Sequence, residues 1–227
     1  RDKLNVKRVL LATGVSMGAI QSYVWAAMHP DFVQAIMPIG GSTSTRTDPV
    51  VRWNFDLMTA AMKSDPVWME TGGDYYHLPK ERHPNKGMMF GWSILMSTGL
   101  DLDYRIDQGW DEVKKEVFYW EPTGDEGALL REKGRDYDVN DLIKRNGAQE
   151  AFHLDDHLAG IRAKALILHV KNDLWLRERL AMEAAGKIPG AEFASFESPL
   201  AHFAVFRAPH VLRDTVLAFF ARIGLTD

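Results

Sequence analysis

The 227-residue sequence predicts an α/β fold built on a mostly parallel sheet and interrupted by a helical insertion. Short, continuous apolar runs at Val9-Leu10-Leu11-Ala12, Val33 to Ile39 and Ala165 to Val170 read as strands buried on both faces of a parallel sheet. Segments with apolar residues at helical spacing alternate with these runs. Between the two regions of this kind lies a long stretch without a convincing strand signal.

The first run ends in Thr13-Gly14, and Ile20, Tyr23, Val24 and Ala27 then recur at helical spacing from Ala19 to Met28. His29-Pro30 stops that helix, because proline disfavours helical backbone in the residue before it. The run from Val33 to Ile39 ends in Gly40-Gly41 and completes a βαβ unit. From about Ser42 to about Gly160 tryptophans, methionines, prolines and charges mix, which reads as a mainly helical excursion. Within it Met88 to Met96 suits a buried helix, a substrate wall or a subunit contact. Gly124 to Gly127 and the charged run from Arg131 to Asp138 read as exposed loop or helix surface. The α/β pattern then resumes with a strand at Ala165 to Val170, a helix at Arg177 to Lys187, a strand at Glu192 to Phe196 and a closing amphipathic helix from Pro209 to Ile223. Residues 1–41 and 161–227 therefore form the expected core, and 42–160 a helical cap.

The formal net charge of −4 is spread without a basic run, which argues against nucleic acid or an anionic membrane as partner and favours a small-molecule substrate. Cysteine is absent, so disulfides, a thiol nucleophile and a thiolate metal site are excluded together. No apolar stretch approaches the roughly 20 residues of a membrane span, and Arg1-Asp2-Lys3-Leu4 lacks the apolar core of a signal peptide; the expectation is a soluble, cytoplasmic protein.

Gly14-Val15-Ser16-Met17-Gly18 is a G-x-S-x-G motif between a predicted buried strand and a predicted helix, the setting of a nucleophile elbow. The turn pushes a serine hydroxyl out above the sheet, and the helix N-terminus faces the oxyanion formed on attack, with the Met17 amide as one donor. A serine nucleophile needs a base and the base an orienting carboxylate, in the chain order Ser, Asp, His. Asp173 follows the strand ending at Val170, and His202 follows the next strand. Ser16, Asp173 and His202 are thus the expected catalytic triad.

Two rival chemistries fail on particular residues. The nucleotide turn of a short-chain dehydrogenase would need glycine where Ile20 stands and an acidic residue where Gly40-Gly41 ends the next strand, and Pro79 interrupts Tyr76-x-x-x-Lys80. His153 and His157 share helical spacing, but Leu154 replaces the glutamate of a metalloprotease motif and no third ligand is evident.

The chain resembles the homoserine O-acetyltransferase-like branch of the α/β-hydrolase superfamily. The carriers are Gly14-Val15-Ser16-Met17-Gly18-Ala19, Trp25-Ala26 and His29-Pro30-Asp31, Asp65-Pro66-x-Trp68 with Gly72-Gly73-Asp74-Tyr75-Tyr76, Asp173, and Ser198-Pro199-x-x-His202. The resemblance implies acyl transfer through an acyl-serine intermediate from an ester or thioester, without metal or organic cofactor, by a homodimer built on the cap helices. It also implies strands ahead of the elbow strand and a loop with a second oxyanion donor; these are expected from an N-terminal portion of the same precursor or from a separate chain. Where the transferases carry a carboxylate-binding arginine, this chain reads Phe90-Gly91-Trp92, so Trp92 and Tyr76 are expected to line a bulkier, more apolar substrate. An esterase or acyltransferase is the expected activity, with true homoserine acetylation and a non-catalytic binding protein as alternatives.

Overall fold

The structure, a computed structural model, describes residues 3, 5–109 and 137–225. The expected surface loop at Gly124 to Gly127 and the charged run from Arg131 to residue 136 lie outside the described residues. The chain divides into two compact units, Arg1–Thr47 with Phe152–Asp227, and Asp48–Ala151.

The first unit is a four-stranded sheet of order β1-β2-β3-β4, parallel throughout: β1 (Ala12–Val15), β2 (Ala35–Ile39), β3 (Lys164–Val170) and β4 (Glu192–Phe196). Helix α1 (Met17–Met28) connects β1 to β2 and ends at His29, ahead of Pro30. Alternation sorts the strands between two cores. Ile36, Ala165 and Ile167 join Tyr23 and Ala26 of α1 on one face, whereas Ala35, Met37, Leu166 and Leu168 meet Phe219 on the other. Both faces are covered by helices, which is why β2 and β3 read as uninterrupted apolar runs.

The first strand differs from expectation. The ladder runs from Ala12 to Val15, with only an isolated bridge from Val9 to Val33 ahead of it, and Leu10 is 48% exposed. Among the described residues nothing pairs with the outer edge of β1, so its upstream apolar residues are not enclosed. At the other end, the closing helix starts as a 3₁₀ turn at Pro209–Leu212 and continues as an α-helix over Arg213–Ile223.

The second unit is helical in its described part: α2 (Pro49–Lys63), α3 (Pro66–Thr71), α4 (Asn85–Met96), α5 (Leu102–Gln108) and α6 (Val139–Ala151). Aspartates cap three of them. Asp48, Asp65 and Asp101 accept from first-turn amides, and Pro49 and Pro66 occupy the turn where a missing N–H costs nothing. Helices α2 and α4 approach so closely at Gly91 that a Cβ there would lie 2.6 Å from Met62 Cε. No described helix is long and apolar enough to cross a membrane.

Where the chain leaves and re-enters the first unit, its two segments are joined. Ser44 and His153 form an antiparallel bridge, Leu154 N–H donates to Thr43 O at 2.8 Å, and Thr43 Oγ1 donates to Asp155 Oδ1 at 2.7 Å. Lys187 of α7 (Glu178–Lys187) completes the join with a 2.6 Å ion pair to Asp155. Partial burial alone would raise the Asp155 carboxyl, but the hydrogen bonds from Lys187 and Thr43 outweigh it and hold the group below its ordinary value. A carboxyl depressed in the folded state adds stability above its unfolded titration and loses it as pH falls through the folded one. Asp155→Asn is therefore expected to lower Tm at pH 7 by about 1–4 °C, from about 0.5–1 kcal/mol for a pair with a half-exposed lysine. In thermal melts run against pH the difference should begin to shrink as pH falls to about 4 and disappear only at lower pH, below the depressed titration of the folded carboxyl; a deficit that stays constant throughout the acid range would assign it to packing.

Candidate active site

Ser16 stands between the last residue of β1 and the first of α1, with its amide donating to Ile39 O at 2.9 Å. Its backbone, φ 52° and ψ −116°, lies in a region that a residue with a Cβ rarely adopts and that persists only when its surroundings impose it. Gly14 is part of that imposition. A Cβ there would sit 2.6 Å from the Gly18 carbonyl carbon, while a Cβ on Gly18 itself would meet nothing within 4 Å. The close approach thus demands glycine at the first motif position but not at the second.

Asp173 follows β3, and both its oxygens are engaged. Oδ1 accepts from the Trp175 and Leu176 amides at 2.8 and 3.0 Å, and Oδ2 lies 2.6 Å from His202 Nδ1. The other imidazole nitrogen, Nε2, is 3.0 Å from Ser16 Oγ. With the carboxylate as acceptor, Nδ1 carries the proton and Nε2 accepts from the serine hydroxyl. The His202 and Asp173 side chains are almost wholly out of solvent, which strengthens each polar contact and forbids water from replacing one. A second link holds the two loops together: Asn172 Nδ2 donates to Ser198 O at 2.8 Å, and its Oδ1 accepts from Ser198 N–H. Met17 opens α1 directly after Ser16, so its amide belongs to the helix's first turn, where the macrodipole favours negative charge.

Sequence reasoning missed the aromatic surroundings of His202. The Trp175 ring lies over the imidazole with centroids 4.5 Å apart and planes at 35°, and Phe206 stands edge-on at 6.3 Å. Phe206 comes from a one-turn helix, α8 (Ala204–Arg207), that no sequence signal marked. His169 is a further buried imidazole, on β3. Val170 N–H donates to its Nδ1, its Nε2 has no hydrogen-bond partner among the described residues, and burial pushes its titration down.

Tyr76 and Trp92 both belong to the second unit. The Tyr76 hydroxyl donates to Asp138 Oδ1 at 3.1 Å and accepts from Asn140 Nδ2, in a network that also ties Tyr75, Gly73 and Trp68 to the start of α6. Trp92 on α4 is half-buried, with the Arg145 guanidinium 5.4 Å from its ring centre and Tyr137 edge-on. His153 is engaged locally, with Nδ1 2.9 Å from Ser44 Oγ.

A parallel sheet that carries a serine on a strained strand-to-helix turn, followed in order by an aspartate and a histidine at strand ends, is the arrangement of the α/β-hydrolase fold. No protein-family model matches the chain. It is 27% identical over 205 residues to a probable acyltransferase of Methanothermobacter thermautotrophicus, an alignment covering 90% of this chain and 57% of that protein. It is also 27% identical over 230 residues to a homoserine O-acetyltransferase of Symbiobacterium thermophilum, covering 88% and 56%. Among solved structures, homoserine O-acetyltransferase from Bacillus anthracis superposes with a TM-score of 0.77 at 19% identity, over 96% of this chain and 61% of that one. An acetylester hydrolase from Corynebacterium glutamicum does so with a TM-score of 0.72 at 20% identity, over 91% and 58%. The chain has the α/β-hydrolase fold, and its sequence is similar to those of a probable acyltransferase and of homoserine O-acetyltransferases. It spans less than two thirds of the length of each of these proteins.

Proposed function

We propose that the chain carries the nucleophile, base and acid of a serine-dependent acyl hydrolase or acyltransferase that works through an acyl-serine intermediate. The observation that carries this reading is the unbroken hydrogen-bond chain from Ser16 Oγ through His202 to Asp173 Oδ2. Ser16 Oγ attacks the carbonyl of an ester or thioester while His202 Nε2 takes its proton. The oxyanion forms at the N-terminus of α1, where the Met17 amide is the proposed donor. Collapse breaks the bond to the leaving group, which takes the proton back from His202; water or an acceptor alcohol then attacks the acyl-serine with His202 again as base, and the second collapse breaks the acyl–Oγ bond, releases the acid or new ester and returns the proton from His202 to Ser16. The names of the relatives, acyltransferases on one side and an acetylester hydrolase on the other, support acyl chemistry and leave the acceptor to experiment.

Water or an apolar alcohol is the acceptor we favour, because Trp92 stands where the resemblance expects an arginine. One observation supports the alternative, transfer to homoserine: Arg145 lies beside Trp92, and its Nε has no hydrogen-bond partner among the described residues. For partners, the outer edge of β1, unpaired among the described residues, and the exposed Leu10 support a further strand from elsewhere in a longer polypeptide or from a companion chain, since an unpaired edge is an aggregation liability. Trp53 and Leu57, one turn apart and exposed on α2, support a homodimer through the cap helices.

A fluorophosphonate probe followed by peptide mapping is expected to label Ser16, and a panel of acyl donors is expected to give faster acyl release to water or apolar alcohols than transfer to homoserine. An unlabelled Ser16 would overturn the mechanism, and efficient O-acetylhomoserine formation would overturn the acceptor assignment. Native mass analysis of the same active sample is expected to show more polypeptide than these residues, in pairs; a fully active monomer of this chain alone would overturn both partner proposals.

A further inference from the structure

His202 is fully buried, and its two nitrogens are occupied by Asp173 and Ser16. Two aromatic rings also stand against the imidazole. Trp175 covers one face, and its position is fixed from behind: its amide donates to Asp173 Oδ1, Phe203 packs edge-on against the indole at 5.3 Å, and the Arg207 guanidinium lies 5.5 Å from the Phe203 ring centre. Phe206 stands at the imidazole edge, yet 54% of it is exposed. Phe206 thus offers open apolar ring surface close to the buried histidine.

The reaction specifies what passes this place. When the tetrahedral intermediate collapses, the carbonyl carbon to alcohol oxygen bond breaks and the proton held on His202 Nε2 moves to that oxygen. The oxygen must therefore come within about 3 Å of Nε2. Its substituent leaves along the imidazole perimeter, whereas the acyl chain stays attached to Ser16 and can extend elsewhere. In the transfer direction an incoming alcohol loses its proton to the same nitrogen and occupies the same place.

We propose that Trp175 and Phe206 form the binding wall for the alcohol portion of the substrate, selecting alcohols with a flat apolar group on the carbon next to the oxygen, such as arylmethanols. This inference rests on the acyl-serine reading and adds the alcohol's chemical class to it. Neither ring brings a charge to the site, so the wall rewards stacking area. Phe206 and Trp175 meet the imidazole at 69° and 35°, so the two rings present differently inclined apolar surfaces around the histidine that handles the alcohol's proton.

The test compares ethyl, benzyl and 2-naphthylmethyl acetates, which share an acyl group and have leaving alcohols of the same type, on the full active protein. The readout is the ratio of kcat/KM for each arylmethyl ester to that for ethyl acetate within each variant. The parent protein is expected to favour the benzyl ester by about 3- to 10-fold, as one aromatic contact supplies, and the naphthylmethyl ester by more. Trp175→Leu and Phe206→Ala are expected to bring the ratios towards one, and Trp175→Phe to keep them. Phe206 is exposed, so its variant folds independently of the outcome at Trp175. Fluorophosphonate labelling runs alongside. Labelled Ser16 with flat ratios in the parent, or with ratios that both Trp175→Leu and Phe206→Ala leave intact, overturns the wall and spares the mechanism. Unlabelled Ser16 without ester turnover overturns both.

Discussion

Ser16→Ala is expected to lower turnover by about four to six orders of magnitude in a protein that stays folded, and His202→Ala to do the same. The serine oxygen is the only atom of its side chain that the site uses, and it meets His202 Nε2 at 3.0 Å. Alanine keeps the Cβ and leaves the Gly14 to Gly18 approach untouched, so nothing in the packing of the turn is lost. The strain at φ 52° comes from the Cβ, which alanine keeps, so the turn is neither relieved nor further strained. His202→Ala is harsher on the fold, because it removes a fully buried ring from between Trp175 and Asp173. The two losses should not add, since each removes the same proton-transfer step; the double variant is expected to match the singles. Single-turnover kinetics with an acyl donor, beside circular dichroism of each variant, checks this. A folded Ser16→Ala protein with parent activity would remove Ser16 from the chemistry.

How much of this was legible in the sequence depends on how local the cause is. The elbow is a local device: Gly14 and Ser16 lie within three residues, and the contact that demands glycine at position 14 is made to Gly18. Asp173 could be placed after a strand because β3 carries a continuous apolar run that ends at Val170, whereas β4, Glu192–Phe196, is short and mixed, and His202 was placed by its order in the chain after it. The edges of β1 were not legible. Its ladder includes Thr13 and Gly14, which read as the end of a strand, and omits Leu10, which reads as its centre. Pairing is decided by β2, whose register places Ala12 against Ile36, and no property of residues 9–15 encodes that. Trp175 and Phe206 were illegible for the same reason. Each is one aromatic residue in a loop or a one-turn helix, and only the tertiary fold brings both to one histidine. The link between Asn172 and Ser198 and the stacking of Arg145 on Trp92 are likewise products of chain crossing.

Asp173→Asn is expected to cost about 10⁴ in turnover while the site keeps its shape. The isostere retains an oxygen to accept from the Trp175 and Leu176 amides, so the loop that bears the acid stays closed. What changes is the group that faces His202. A carboxylate oxygen only accepts, which keeps the proton on Nδ1 and leaves Nε2 free to receive the serine's; an amide NH₂ only donates, which turns Nδ1 into an acceptor and moves the ring proton to Nε2. Nε2 can then no longer take a proton from Ser16 Oγ. Solvent cannot repair the defect, because both side chains are sealed from it. Asp173→Ala separates orientation from tautomer: it also leaves two loop amides without an acceptor, so a loss of stability should accompany its loss of rate. The comparison is made by kcat and Tm measured together, with Asp156→Asn, whose carboxylate is exposed and 3.5 Å from His153, as the control carboxylate. An Asp173→Asn protein within tenfold of the parent, or an Asp156→Asn protein that loses as much, would show that the acid of this site is not Asp173.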